Sequence, residues 1–379
     1  MPTEAQVLEA LRPVQDPELQ RSIVDLDMVR DVRVDDGRVG VTVALTVAGC
    51  PLRAEITDRV TRAVQPLEGV REVDVDLTVM TDEERAAVRE RMHGGSGGPG
   101  AAAGHQHGPG ATPANPFTDP ASRTRVLGLS SGKGGVGKSS VTVNLAVALA
   151  RLGQEVAVLD ADVYGFSVPK MLGVGHEPVV IDGMIVPPVA HGVKVISTGF
   201  FVGDDQPVIW RGPMLHKALE QFLTDVLWGE PGFLLVDMPP GTGDVALSMA
   251  QFLPRAEMLV VTTPQPAAQR VAQRSALMAR KVNLAVRGVV ENMSWFTGDD
   301  GKRYPIFGSG GGQLLADDLG VPLLAQVPLV TALREGGDVG EPVTVTDPGS
   351  EASQAFDALA RRVVEMGPGR ISRPELRIS

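Results

Sequence analysis

The chain has 379 residues, a net charge of −11, 43% hydrophobic and 21% charged residues, and one cysteine. This composition suits a globular chain of two or three domains, rules out an intramolecular disulfide, and argues against broad electrostatic binding to nucleic acid or anionic membrane. No apolar run reaches the roughly 18 residues of a membrane span, and Met1 to Gln6 lacks the basic-then-apolar layout of a signal peptide, so the expected protein is cytoplasmic, with no membrane and no nucleic-acid partner.

Residues 1–80 read as a small α+β domain. Thr3 to Leu11 places Val7, Leu8 and Leu11 on one helical face. Asp16-Pro17-Glu18-Leu19 reads as a turn. Met28 to Val34 and Arg38 to Thr46 read as strands, and Asp35-Asp36-Gly37 between them is a hairpin signal. Pro51 opens a helix to about Val64, and Val70 to Val79 alternates as a half-buried strand does. Cys50 falls at the strand-to-helix junction, where a helix N-terminus favours the thiolate and with it iron binding or redox chemistry. A lone cysteine also reads as a small buried hydrophobe. Residues 81–120 begin with a short charged helix and then become rich in Gly, Ala and Pro, which reads as a flexible linker. His105 and His107 inside it read as solvated.

Residues 121–366 alternate strand and helix, the pattern of a parallel sheet with helices on both faces. Arg125 to Ser130 is an apolar strand, and Val141 to Leu152 a helix closed by Gly153. Between them lies Gly132-Lys133-Gly134-Gly135-Val136-Gly137-Lys138-Ser139, which fits the phosphate-loop spacing GxxxxGK[ST]. Glycines let successive N–H groups converge on phosphate oxygens at a helix N-terminus, where orphan donors and the macrodipole favour anions. Lys138 is placed to reach the outer phosphates and Ser139 to hold Mg²⁺. The fold class is α/β, a P-loop NTPase with a mostly parallel sheet, preceded by the small α+β domain. Residues 367–379 form a tail.

Further strands end in polar groups. Glu155 to Asp160 runs into Asp160-Ala161-Asp162-Val163-Tyr164-Gly165, and Phe233 to Asp237 runs into Met238-Pro239-Pro240-Gly241-Thr242-Gly243-Asp244. Carboxylates at strand C-termini beside a phosphate loop can hold Mg²⁺ or orient water. Glu257 to Thr262 and Leu284 to Val290 are strands flanking a helix from Pro266 to Lys281, and Asn292 follows the second at a strand edge suited to bonding a base.

Lys133, a second lysine just after the first glycine, resembles the signature lysine of the deviant Walker A ATPases, the MinD, ParA, nitrogenase iron protein and Mrp group. In that group this lysine reaches across a dimer to the partner's nucleotide. Asp16-Pro17-Glu18, Val24-Asp25-Leu26 and Thr46 to Pro51 resemble the PaaD/SufT-like iron–sulfur assembly domain. With Trp210-Arg211-Gly212-Pro213-Met214, the stretch from Asp237 to Asp244, Glu291-Asn292-Met293-Ser294, and Phe307-Gly308-Ser309-Gly310-Gly311-Gly312, the chain is similar to the Mrp/ApbC family of iron–sulfur cluster carriers. The resemblance implies a homodimeric, ATP-hydrolysing carrier that passes clusters to apoproteins alongside iron–sulfur assembly proteins. It assigns Asp162 to positioning water, Asp160 and Asp237 to Mg²⁺, the Gly241 N–H to the γ-phosphate, and Asn292 to adenine. Arg334-Glu335-Gly336-Gly337-Asp338 is expected to be a loop over the base.

One departure is chemical. Many members of that family carry CxxC between the two last motifs, and a dimer pools two pairs for one [4Fe–4S] cluster. Here Trp295 to Ile306 contains no cysteine, whereas such a cluster takes four. Cys50 is the one candidate iron–sulfur ligand, with outside ligands completing the set. Otherwise a partner carries the cluster, or the chain is a nucleotide-gated scaffold or a MinD/ParA-like positioning ATPase with no cluster.

Overall fold

The computed structural model describes residues 2–16, 21–35, 37–45, 53–81, 84, 115–163, 165–181, 183–201, 212–241 and 244–369. Cys50, the linker histidines, Trp210, Arg211, Thr242, Gly243 and the tail from 370 lie outside the described residues. The chain divides into two compact units, residues 1–111 with 178–187, and residues 112–177 with 188–379.

In the first unit helix α1 (Glu4–Leu11) starts at a capping box, with Thr3 accepting from the Gln6 N–H and Gln6 reaching back to the Thr3 N–H. Strands β1 (Val29–Asp35) and β2 (Arg38–Leu45) pair antiparallel, and β3 (Glu72–Val79) lies parallel to β2. The parallel step needs a crossover, which helix α2 (Arg53–Val64) supplies. Val7, Leu11, Met28, Val41, Val43, Ile56, Val60 and Val64 are buried together in its core. The hairpin of β6 (Val179–Ile181) and β7 (Met184–Val186) is grouped with this unit.

The second unit is built on an eight-stranded sheet in the order β15-β12-β11-β4-β10-β5-β9-β8. Its strands are β4 (Arg125–Ser131), β5 (Val156–Asp160), β8 (Val189–Ala190), β9 (Val193–Ser197), β10 (Phe233–Asp237), β11 (Glu257–Thr262), β12 (Ala285–Glu291) and β15 (Leu323–Gln326). All neighbours are parallel except β8, a two-residue strand antiparallel to β9. Every residue of β5, β10 and β11 is buried, as a sheet covered on both faces demands.

Helix α3 (Lys138–Arg151) begins three residues before the expected start, because the loop leads into it with no connecting segment. Its Val141, Leu145, Ala148 and Leu149 are buried. After it come α4 (Val168–Met171), α5 (Gly212–Thr224), α6 (Asp244–Phe252), α7 (Pro266–Lys281), α8 (Gly311–Leu319), α9 (Thr331–Val339), α10 (Val343–Thr346) and α11 (Glu351–Glu365). Helix α9 corrects the expected loop at Arg334 to Asp338. Gly336 is no loop residue there. It is buried, and a Cβ on it would lie 2.2 Å from the Glu341 carbonyl oxygen. At the β15 edge, Arg362 of α11 donates to the Leu324 carbonyl. Among the described residues no helix is long and apolar enough to cross a membrane.

Candidate functional site

Sheet order does what the sequence alone cannot. Strand β10 sits between β4 and β5, with Asp237 opposite Leu129 on one side and Asp160 on the other. The phosphate loop and two carboxylates therefore meet at the C-terminal edge of three adjacent strands, where ligands bind in open α/β sheets.

Lys138 is the first residue of α3, and its Nζ donates to Asp237 Oδ2 at 2.6 Å. The two side chains are 6% and 0% exposed. Ser139 Oγ donates to the same oxygen at 2.6 Å, and Thr142 Oγ1 to Asp237 Oδ1 at 2.5 Å. Asp162 Oδ2 lies 3.8 Å from Lys138 Nζ. Lys138, Ser139, Asp162 and Asp237 thus converge as the motifs lead one to expect. Thr142 was missed. It lies four residues after Lys138, on the same helical face, which is the spacing that could have found it.

Asp160 is buried and accepts from the Asp162 N–H at 3.2 Å, the Ser167 N–H at 3.2 Å, the Val168 N–H at 3.3 Å and Ser197 Oγ at 3.0 Å. Burial, and then the neighbouring Asp237 carboxylate, push its acid up from 3.8 to about 7. Two adjacent carboxylates and a serine hydroxyl form an all-oxygen donor set. It fits a hard divalent cation, which binds few protein ligands and keeps water and phosphate oxygens.

The loop is packed from behind. Gly137 has φ +79°, and a Cβ there would lie 2.2 Å from Asn292 Nδ2. Asn292 Nδ2 donates to the Val136 carbonyl at 2.9 Å, while its buried Oδ1 has no partner. Gly132 is pressed against α7, where a Cβ would fall 2.2 Å from the Ala272 nitrogen. Lys133 is half-buried and donates from Nζ to Gln265 Oε1, the residue capping α7, at 3.3 Å. Gly134 and Gly135 are exposed at the tip of the loop.

Gly241 lies against the loop. Its N–H donates to the Ser131 carbonyl at 2.8 Å, so in this conformation it points at the loop backbone. Glu291, also unforeseen, is 1% exposed and accepts from the Gly312 N–H at 2.6 Å, Gln326 Nε2 at 2.7 Å and Ser294 Oγ at 2.9 Å. It ties the start of α8 to the strand that runs into Asn292.

Where the resemblance expects cluster thiols, the chain forms a small hairpin of β13 (Phe296–Thr297) and β14 (Arg303–Tyr304). Arg303 stacks on Trp295 at 4.0 Å, and Glu351 accepts from Trp295 Nε1, Thr297 Oγ1 and Arg303 Nη2 at 3.3, 2.8 and 3.2 Å. Among the described residues no group of three or more His, Cys, Asp or Glu side chains is placed to hold a metal ion.

Comparisons with known proteins agree with this geometry. Residues 122–364 match the family described as NUBPL iron-transfer P-loop NTPase, and residues 4–75 match the family described as iron-sulfur cluster assembly protein. An iron-sulfur cluster carrier protein of Mycobacterium tuberculosis is 48% identical over 363 residues, covering 94% of this chain and 92% of the relative. One from Synechocystis sp. is 42% identical over 383 residues, covering 99% and 100%. Among solved structures, a nucleotide-binding protein from Archaeoglobus fulgidus in complex with ADP superposes with a TM-score of 0.53 at 33% identity, covering 62% of this chain and 93% of that one.

Proposed function

The chain belongs to the NUBPL iron-transfer P-loop NTPase family and carries an iron–sulfur cluster assembly domain in front of it, and from that premise we propose a cytoplasmic, homodimeric ATPase that receives iron–sulfur clusters and hands them to apoproteins. The observation that carries the ATPase half is the buried Lys138–Asp237 pair at 2.6 Å beneath the phosphate loop. A buried ammonium held by a carboxylate can be drawn to a phosphate only if something replaces it at the carboxylate. Asp237, Ser139 and Asp160 would hold Mg²⁺, which when bound supplies that replacement charge and neutralises phosphate oxygens.

In this reading the N–H groups from Gly132 to Lys138 cradle the phosphates of ATP, and Lys138 moves from Asp237 to the outer phosphates. Asp162, which lies 3.8 Å from that ammonium, orients the attacking water. Lys133 leaves Gln265 to reach the nucleotide of the partner subunit. Asn292 Oδ1, buried without a partner, is the acceptor suited to an exocyclic amino group of adenine. Cys50 holds the cargo cluster with ligands from outside the chain, because a dimer supplies two thiols and a [4Fe–4S] cluster takes four. The lone cysteine also favours one second reading, a nucleotide-gated scaffold whose partner holds the cluster.

The test is anaerobic reconstitution with iron and sulfide, reading iron per chain and the visible spectrum for wild type and Cys50→Ala, with ATP turnover followed in parallel for wild type and Asp162→Ala. A cluster lost in Cys50→Ala supports the carrier, and no cluster in either chain moves the iron chemistry to a partner. Asp162→Ala should bind ATP and hydrolyse it slowly. Unchanged turnover would hand water positioning to another group.

A further inference from the structure

Gly241, whose N–H the family resemblance assigns to the γ-phosphate, is tied down at both ends in this structure. The Gly241 N–H donates to the Ser131 carbonyl at 2.8 Å, and the Gly241 carbonyl accepts from Ser275 Oγ at 3.1 Å. An amide carries one hydrogen. While it is on Ser131 it is not available to a phosphate. Gly241 has φ +104°, reached without strain by glycine alone, and no atom lies within 4 Å of where its Cβ would be. Two hydrogen bonds hold the backbone there, and the side where a Cβ would project is open.

Both anchors belong to elements that meet at the phosphate loop. Ser131 is the last residue of β4. Ser275 is 6% exposed on α7, four residues beyond Val271 and three beyond Ala272, whose backbone presses on Gly132. The cap of the same helix holds Lys133 through Gln265. Behind Gly241 lies a cavity of 10 Å³ whose walls include Ser130, Met238, Met258 and Ser275. That is about the space of one water molecule, and two thioether side chains able to repack border it.

We infer that Ser275 is a positioning residue, a latch on α7 that holds the Gly241 carbonyl, thereby keeps the residue's N–H on Ser131 and away from the γ-phosphate, and so sets how strongly the site prefers ATP over ADP. The inference rests on the ATPase reading above. Ligand affinity is reduced by the fraction of molecules in the competent state. Weakening the latch raises that fraction, and only a nucleotide with a γ-phosphate profits from it.

The experiment measures the dissociation constants of full-length wild type, Ser275→Ala and Ser275→Thr for ADP and for a non-hydrolysable ATP analogue, both with Mg²⁺. A net hydrogen bond of ordinary strength corresponds to about 2- to 10-fold. Ser275→Ala should bind the ATP analogue tighter by that factor with ADP unchanged. Ser275→Thr keeps the hydroxyl, its extra methyl has the neighbouring cavity to enter, and it should retain the wild-type ratio. Equal changes in both constants, or no change in either, overturn the latch, because a merely structural serine would not discriminate the third phosphate. Wild type binding neither nucleotide, or Lys138→Ala binding both as well as wild type, would sink the ATPase reading and the latch with it.

Discussion

Two regions that follow parallel strands of this sheet use charge in opposite ways. After β4 and β10, Lys138 and Asp237 are sealed from water, and every oxygen of Asp237 is occupied. At the β13–β14 hairpin, Arg303 meets Glu351 of α11 with side chains 58% and 41% exposed. Their pairing serves to fold a short surface segment around Trp295. Burial makes the first pair expensive to break and sensitive to any ligand that offers a substitute charge. Exposure makes the second worth little, since water competes for both partners. Charge count alone does not distinguish a switch from a surface. Desolvation does.

The largest expected effect comes from Lys138→Ala. It leaves Asp237 as a buried charge without its counter-ion, which costs about 3–5 kcal/mol and should show as a lower urea midpoint in nucleotide-free protein. Turnover should fall by about 10²-fold or more, the scale of removing one preorganised electrostatic contact. Lys138→Ala combined with Asp237→Asn should regain much of the stability and none of the turnover. A single variant as stable as wild type would break the comparison outright.

A middle effect is a pH slope. The Asp160 acid is raised from 3.8 to about 7 by burial and by Asp237. Between those values the folded chain binds more protons than the unfolded one, so stability falls as pH rises through that window. Thermal unfolding without nucleotide or Mg²⁺ should show this decline in wild type, and the slope should flatten in Asp160→Asn whatever that variant's absolute stability.

The smallest effect belongs to the hairpin. Hydrogen bonds from Thr297 and then Trp295 hold the Glu351 carboxyl below its usual range. Its contribution is present above pH 4.5 and is lost as pH falls through the lowered value. Glu351→Gln should cost no more than about 1 kcal/mol at neutral pH and leave turnover unchanged. A large loss there would erase the contrast between the two regions.

The phosphate loop was legible because its chemistry is written in consecutive residues, and the strand before it and the helix after it follow from simple apolar patterns. The meeting of Asp160 with Asp237 was not legible as a contact, since it depends on β10 lying between β4 and β5. Strands β9 and β15 escape a pattern reading because one is broken by Lys194 and the other has four residues. Helix α9 was hidden by Gly336-Gly337, which reads as punctuation until the Glu341 carbonyl is seen against it. Gln265, Ser275 and Glu291 are polar residues in ordinary helical or strand contexts, and nothing local marks them as partners of Lys133, Gly241 and Gly312.

The two margins of the large sheet have a consequence beyond the site. An open row of amides and carbonyls is a template on which another chain can stack, the first step toward fibres. Here one margin is two residues long, and at the other the Arg362 guanidinium occupies the Leu324 carbonyl. A ninth strand would meet a very short margin on one side and an occupied carbonyl on the other. Arg362→Ala, which should leave the phosphate loop untouched, uncovers that carbonyl and is expected to raise light scattering at high concentration relative to wild type.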